Sequence, residues 1–147
     1  MSYATLDDLL GHMAEQDLAA LTNDLGGPDI DREVAAHVLA DAADVVKASI
    51  HGRYRVDQDP APALARLLTA DIAIFLLYAR RPGLEVPEAI KLRYEQALAM
   101  LAKIRTGAAS LGPDAIPADA GAAGGGGQSG LVPGNERLFR RDQTRWF

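Results

Sequence analysis

The chain has 147 residues, room for one core rather than two, and its 48% hydrophobic and 24% charged side chains are an ordinary globular balance. A net charge of −5 argues against a free-standing nucleic-acid binder, which needs cations to displace phosphate counterions. With no cysteine, disulfides, thiol nucleophiles and thiolate-held zinc are excluded. Aromatics are only 5% while alanine is abundant, a composition that favours helix packed closely on helix. Met1 to Thr5 shows neither a basic start nor an apolar signal core. The longest apolar run, Ile72 to Ala79, is too short to span a bilayer. The expectation is a protein made in a cytosol that stays soluble.

Thr5 is placed to cap a helix, with Asp8 in the capping-box position and Leu6, Leu9, Leu10 and Met13 on one face. A break is expected near Gly11–His12, with helix resuming from Ala14 to Leu21. Asn23 to Pro28 then has the chemistry of a turn. Asp29 or Asp31 opens a second helix, in which Val34, Val38, Ala42, Val45 and Ser49 recur at steps of three and four until Gly52 stops it. Two prolines make Arg53 to Pro62 an extended connector. The third helix carries Leu64, Leu67, Leu68, Ile72, Phe75, Leu76 and Ala79, with Ile74 and Tyr78 widening the stripe, as a central helix does. Arg80–Gly83 ends it. Pro87 starts a fourth helix with a seam of Ile90, Tyr94, Ala97, Leu101 and Ile104, ended by Gly107.

The fold class predicted is therefore all-α, a small bundle of four main helices within residues 1–111. Residues 112–130, with Gly124 to Gly127 in a row, read as a flexible linker. Residues 131–147 read as a docking arm. It holds the single Trp and two of the three Phe, and Arg and Trp are the types that dominate binding hot spots. The partner-contacting residues expected there are Arg137, Leu138, Phe139, Arg140, Arg141, Arg145, Trp146 and Phe147. Residues 1–60 carry 4 basic and 12 acidic side chains, and residues 61–112 carry 7 and 4. The two regions either neutralise each other within one bundle or meet across a seam between copies.

The residues offer little chemistry. His37 and Asp41 stand one helical turn apart, but a transition-metal site wants three or four convergent ligands, so a solvated helix face is expected. The glycine run ends Gln128–Ser129–Gly130, without the Gly-Lys-Ser/Thr ending or preceding strand of a phosphate loop. No catalytic, cofactor-binding or metal-binding residue is assigned, and the chain reads as a non-enzyme. Asp71 lies in the most apolar helix, where an unpaired charge is costly. Of Arg53, Arg66 and Arg93, Arg53 is the expected partner in a structural ion pair that fixes the connector onto the bundle.

The ordered set Tyr3–Leu9, Ala40–Ala42, His51–Tyr54, Thr69–Ala73 with Leu77–Tyr78, Arg93–Tyr94 and Ala97–Leu98 with Leu101, Ile104 and Gly107, then Arg137–Arg141 and Phe147, resembles the head–tail connector (adaptor) proteins of Mu-like phages and prophages. That resemblance implies a structural virion protein at the head–tail neck, synthesised in the bacterial host. It implies a homo-oligomeric ring, of roughly twelve copies, on the portal protein, joined by heterologous side-to-side contacts. It also implies a tail-side neck protein (stopper or terminator) as a second partner, and passing DNA met without sequence specificity. The rival expectation is a small DNA-associated helical protein, a packaging or regulatory factor. A metal-dependent enzyme centred on His37 and Asp41 ranks behind it.

Overall fold

The computed structural model describes residues 2–121. Its elements are α1 (Leu6–Leu10), α2 (Glu15–Thr22), α3 (Arg32–Ile50), α4 (Ala63–Ala79), α5 (Glu88–Thr106) and a closing 3-10 turn, Ala118–Gly121. The chain is all-α, as predicted; its only β-type feature among the described residues is an isolated bridge between Tyr54 and Pro117.

Local chemistry sets the helix ends. Thr5 N donates to Asp8 Oδ2 at 2.7 Å and Asp8 N to Thr5 Oγ1 at 3.4 Å, a reciprocal capping box that fixes α1. Asp31, rather than Asp29, caps α3 by accepting from Glu33 N and Val34 N. Gly107 closes α5 with φ 87°, a left-handed conformation that suits a residue without Cβ. The expected glycine stop on α3 takes another form. His51 is the C-cap, in ordinary helical conformation, and Gly52 does not adopt positive φ.

Every other helix packs on α4. It buries Ala65, Leu68, Thr69, Ala70, Ile72, Ala73, Ile74 and Leu77, so apolar or small side chains surround most of its circumference. Its only fully buried hydroxyl, on Thr69, is satisfied by donating to Ala65 O at 2.7 Å. Ala42 and Ala43 of α3, Ala70 and Ala73 of α4 and Ala97 of α5 are all at or below 2% exposure, and these short side chains let the three long helices approach closely. Helices α1 and α2 close the remaining side of α3 and α4. Thr22 ties α2 to α3, donating to Leu18 O and accepting from Asp31 N.

Arg80 and Arg81, expected only to end a helix, clamp the α2–α3 loop. Arg80 grips both carboxylate oxygens of Asp24 at 3.0 and 2.9 Å and donates to Leu21 O. Arg81 donates to Asn23 O at 2.6 Å. Both cations thereby sit at the negative end of the α2 dipole.

The predicted linker boundary at residue 112 needs correction. Leu111 is fully buried, and the residues after it are held to the connector. Arg55 N donates to Ile116 O at 2.8 Å, Ala118 N to Arg53 O at 2.9 Å, and Ile116 N to Gln58 Oε1 at 2.8 Å. Asp114 Oδ2 accepts from Ala63 N at 2.7 Å, supplying the α4 cap that Pro62 lacks. Residues 122–130 of that segment lie outside the described residues. Replacing Asp114 by Ala removes this cap and is expected to cost about 1 kcal/mol, read as a lower melting temperature with helix content preserved.

Candidate partner-binding surfaces

The arm residues expected to contact a partner, Arg137, Leu138, Phe139, Arg140, Arg141, Arg145, Trp146 and Phe147, lie outside the described residues. What the structure does place is their root. Residues 112–121 leave the bundle beside Arg53 and Tyr54, at the C-terminal end of α3. Arg53 itself lies against Gly107, so this end joins the C-termini of α3 and α5 to the start of α4.

The predicted Asp71–Arg53 ion pair is not formed. Arg53 is taken up at the arm root, whereas Asp71 faces His12 and Arg93 across a cleft between the α1–α2 turn and α5. Met13, Ile74, Tyr78 and Ile90 line the same cleft beside a second carboxylate, Asp17, so its walls are mixed. Neither facing side chain comes close enough for a salt bridge, so Asp71 sits half-buried with no charged partner in contact. Burial pushes its carboxyl above the usual 3.8, and the opposing pull of His12 and Arg93 does not cancel that. Of the three candidate arginines it is Arg93, on α5, that lines this cleft, and not Arg53 of the Gly52–Tyr54 turn.

A second surface lies along α3. Glu33, His37, Asp41 and Asp44 are exposed on its outer side, an acidic stripe. Beside it, α3 and α4 leave a groove of about 650 Å³ lined by Val34, Val38, Leu76 and Ala79 together with Asp31, Glu33, His37, Asp41 and Arg80. Nothing in the linear order marks this groove, since it depends on how α3 lies across the end of α4. Among the described residues no three His, Asp or Glu side chains converge in a way that would hold a metal ion. On α5, Leu92 and Leu98 stay exposed at 52% and 37%, and Leu84 precedes them at 47%. These leucines stand outside the buried core cluster, whereas Tyr94 between Leu92 and Leu98 stacks on Phe75 with ring centroids 3.9 Å apart.

The described surface thus offers an acidic groove with an apolar floor, exposed leucines on α5, and a fixed root for the terminal segment. Among the described residues no helix is long and apolar enough to cross a membrane.

The Asp71 carboxyl gives a signed pH prediction. Its folded-state pKa is raised, so the native state holds the proton more tightly and stability falls as pH rises above 3.8. Asp71→Asn is therefore expected to melt at a higher temperature than the parent at pH 7, with the gap closing well below pH 3.8. A lower melting temperature at pH 7 would show that the carboxylate is stabilised instead.

A search of curated proteins returns no match. The model of the family described as Bacteriophage Mu, Gp36 matches residues 3–128, most of the chain and all of the bundle, and the protein therefore belongs to this phage family.

Proposed function

We propose that this protein is a head–tail connector: a structural virion component whose copies form a ring on the portal vertex, continue the DNA channel and dock through the terminal arm. The observation that carries the proposal is the division of labour within the chain. A bundle with a complete core uses almost none of its aromatic residues outside that core, yet the segment beyond the root holds Phe139, Trp146 and Phe147 beside four arginines. Such side chains gain burial by packing on another surface. Membership of a Mu phage family supports the reading.

The described surfaces suit a ring. Closed rings of identical copies require two different faces on each copy that fit each other. The acidic stripe of α3 and the exposed surface of α5, which carries Leu92 and Leu98 with Lys91, Lys103 and Arg105, are two such unlike faces. The arm root is hydrogen-bonded to the connector, so an arm that docks on the portal would carry the bundle with it rather than trail from it. On this reading DNA passes without base recognition, in keeping with the net negative charge.

Two measurements test the proposal. Gold- or antibody-labelled chain in purified virions is expected at the neck between head and tail; label confined to the capsid shell or absent from the particle would sink the connector reading. Deleting residues 131–147 is expected to leave helical content and melting temperature unchanged while abolishing co-sedimentation with portal rings. Undiminished co-sedimentation would remove the arm's docking role.

A further inference from the structure

We infer that in the free protein the groove between α3 and α4 holds the chain's own terminal arm, with Leu138 and Phe139 on the apolar floor and neighbouring arginines facing Glu33 and Asp41. The inference rests on the arm reading above in one respect only, that the arm is an adhesive segment; it needs no portal. Three observations carry it.

The groove is unfilled by the fold. Val34 and Leu76 are only half-buried, and nothing among the described residues covers them. At about 650 Å³ the groove lies in the size range of sites that bury large apolar groups. Glu33 and Asp41 are exposed and form no salt bridge with another described residue.

The occupant's chemistry matches. A ligand for this groove must bring apolar groups and positive charge together. Residues 137–141, Arg-Leu-Phe-Arg-Arg, do so within a few residues. One cation of the bundle, Arg80, lines the groove, but its guanidinium is bonded to both carboxylate oxygens of Asp24 and to Leu21 O.

The tether has the right length. Ala118 is hydrogen-bonded to Arg53, and the groove centres near His37. At the rise of an α-helix the separation along α3 is about 24 Å. The glycine-rich residues 122–136 have a composition and length for which the mean end-to-end distance is about 21 Å. A tether whose mean span matches the distance gives nearly the highest effective concentration available to it, in the millimolar range. The arm's own groove therefore outcompetes that of a second copy in dilute solution. A partner that binds the arm must then displace it, so an unassembled chain keeps its adhesive end covered.

The chain has no cysteine, so an introduced pair reports on this contact alone. In the full-length protein, His37→Cys with Phe139→Cys is expected to give, on mild oxidation at low micromolar concentration, a disulfide within one chain. The product would run at monomer mass with altered mobility on a non-reducing gel. Adding Glu33→Lys and Asp41→Lys, both at exposed positions, is expected to lower the yield several-fold. The control pair is Ala102→Cys with Phe139→Cys, in which the exposed α5 position lies about 7 Å along the helix from Gly107 and so nearer the arm root. A yield no greater than the control's would overturn the inference. So would a covalent dimer as the main product, or a yield undiminished by charge reversal. With no portal in the assay, each of these results leaves the connector reading untouched.

Discussion

Everything in this molecule is arranged around the burial of α4. A helix that buries Leu68, Ile72, Ile74 and Leu77 on different sides must be covered over most of its circumference, with only the side of Leu67 and Asp71 left partly open. Covering one such leucine contributes about 2 kcal/mol, and α4 presents several in a row. The four other helices are the covering. Helices α3 and α5 lie along it, α1 and α2 close the gap that remains, and the alanines of α3, α4 and α5 set how closely they come. The same constraint puts the connector and residues 111–121 at one end of the bundle, because the sides of α4 are already occupied.

Much of that covering was legible in the linear order. Helix ends are governed by short-range chemistry, and Thr5 with Asp8, Pro87 and Gly107 each did what their local context dictates. The apolar width of the Leu64–Ala79 stretch likewise announced a central helix. The misreadings share a different cause: each depends on residues far apart in the chain. Asp114 caps a helix 51 positions earlier, and no local pattern marks an aspartate in a Gly-Pro-Asp turn as a cap for anything. Arg80 and Arg81 look like a helix terminus and work as a clamp on a loop 56 or more positions away. Arg53 appeared the natural partner for Asp71, yet the end of α3 takes it to Gly107 instead. The groove was equally invisible, since it is a gap between helices rather than a property of either one.

Charge tells a parallel story about the function of this phage family member. The exposed clamp on Asp24 holds its carboxyl below the usual value chiefly through the Arg80 hydrogen bond, a local contact that orders a loop. The half-buried Asp71 is held in the opposite direction by desolvation. A bundle optimised only to stay folded would carry an apolar residue there. Together with unfilled Val34 and Leu76 and the uncovered leucines of α5, Asp71 marks surface that the fold leaves incompletely satisfied. Proteins that complete themselves against neighbours carry such surface as a matter of course.

The long-range cap on α4 has a mechanical corollary. Because Asp114 grips the first turn of α4 while residues 116 and 118 clasp Arg55 and Arg53, tension applied beyond residue 121 reaches these hydrogen bonds before it reaches any of the five α-helices. Failure of that latch would uncap the one helix on which every other leans. Strain on the tail of the chain and the integrity of its centre are thus joined by a single carboxylate, so a tug at the tether is felt at the core.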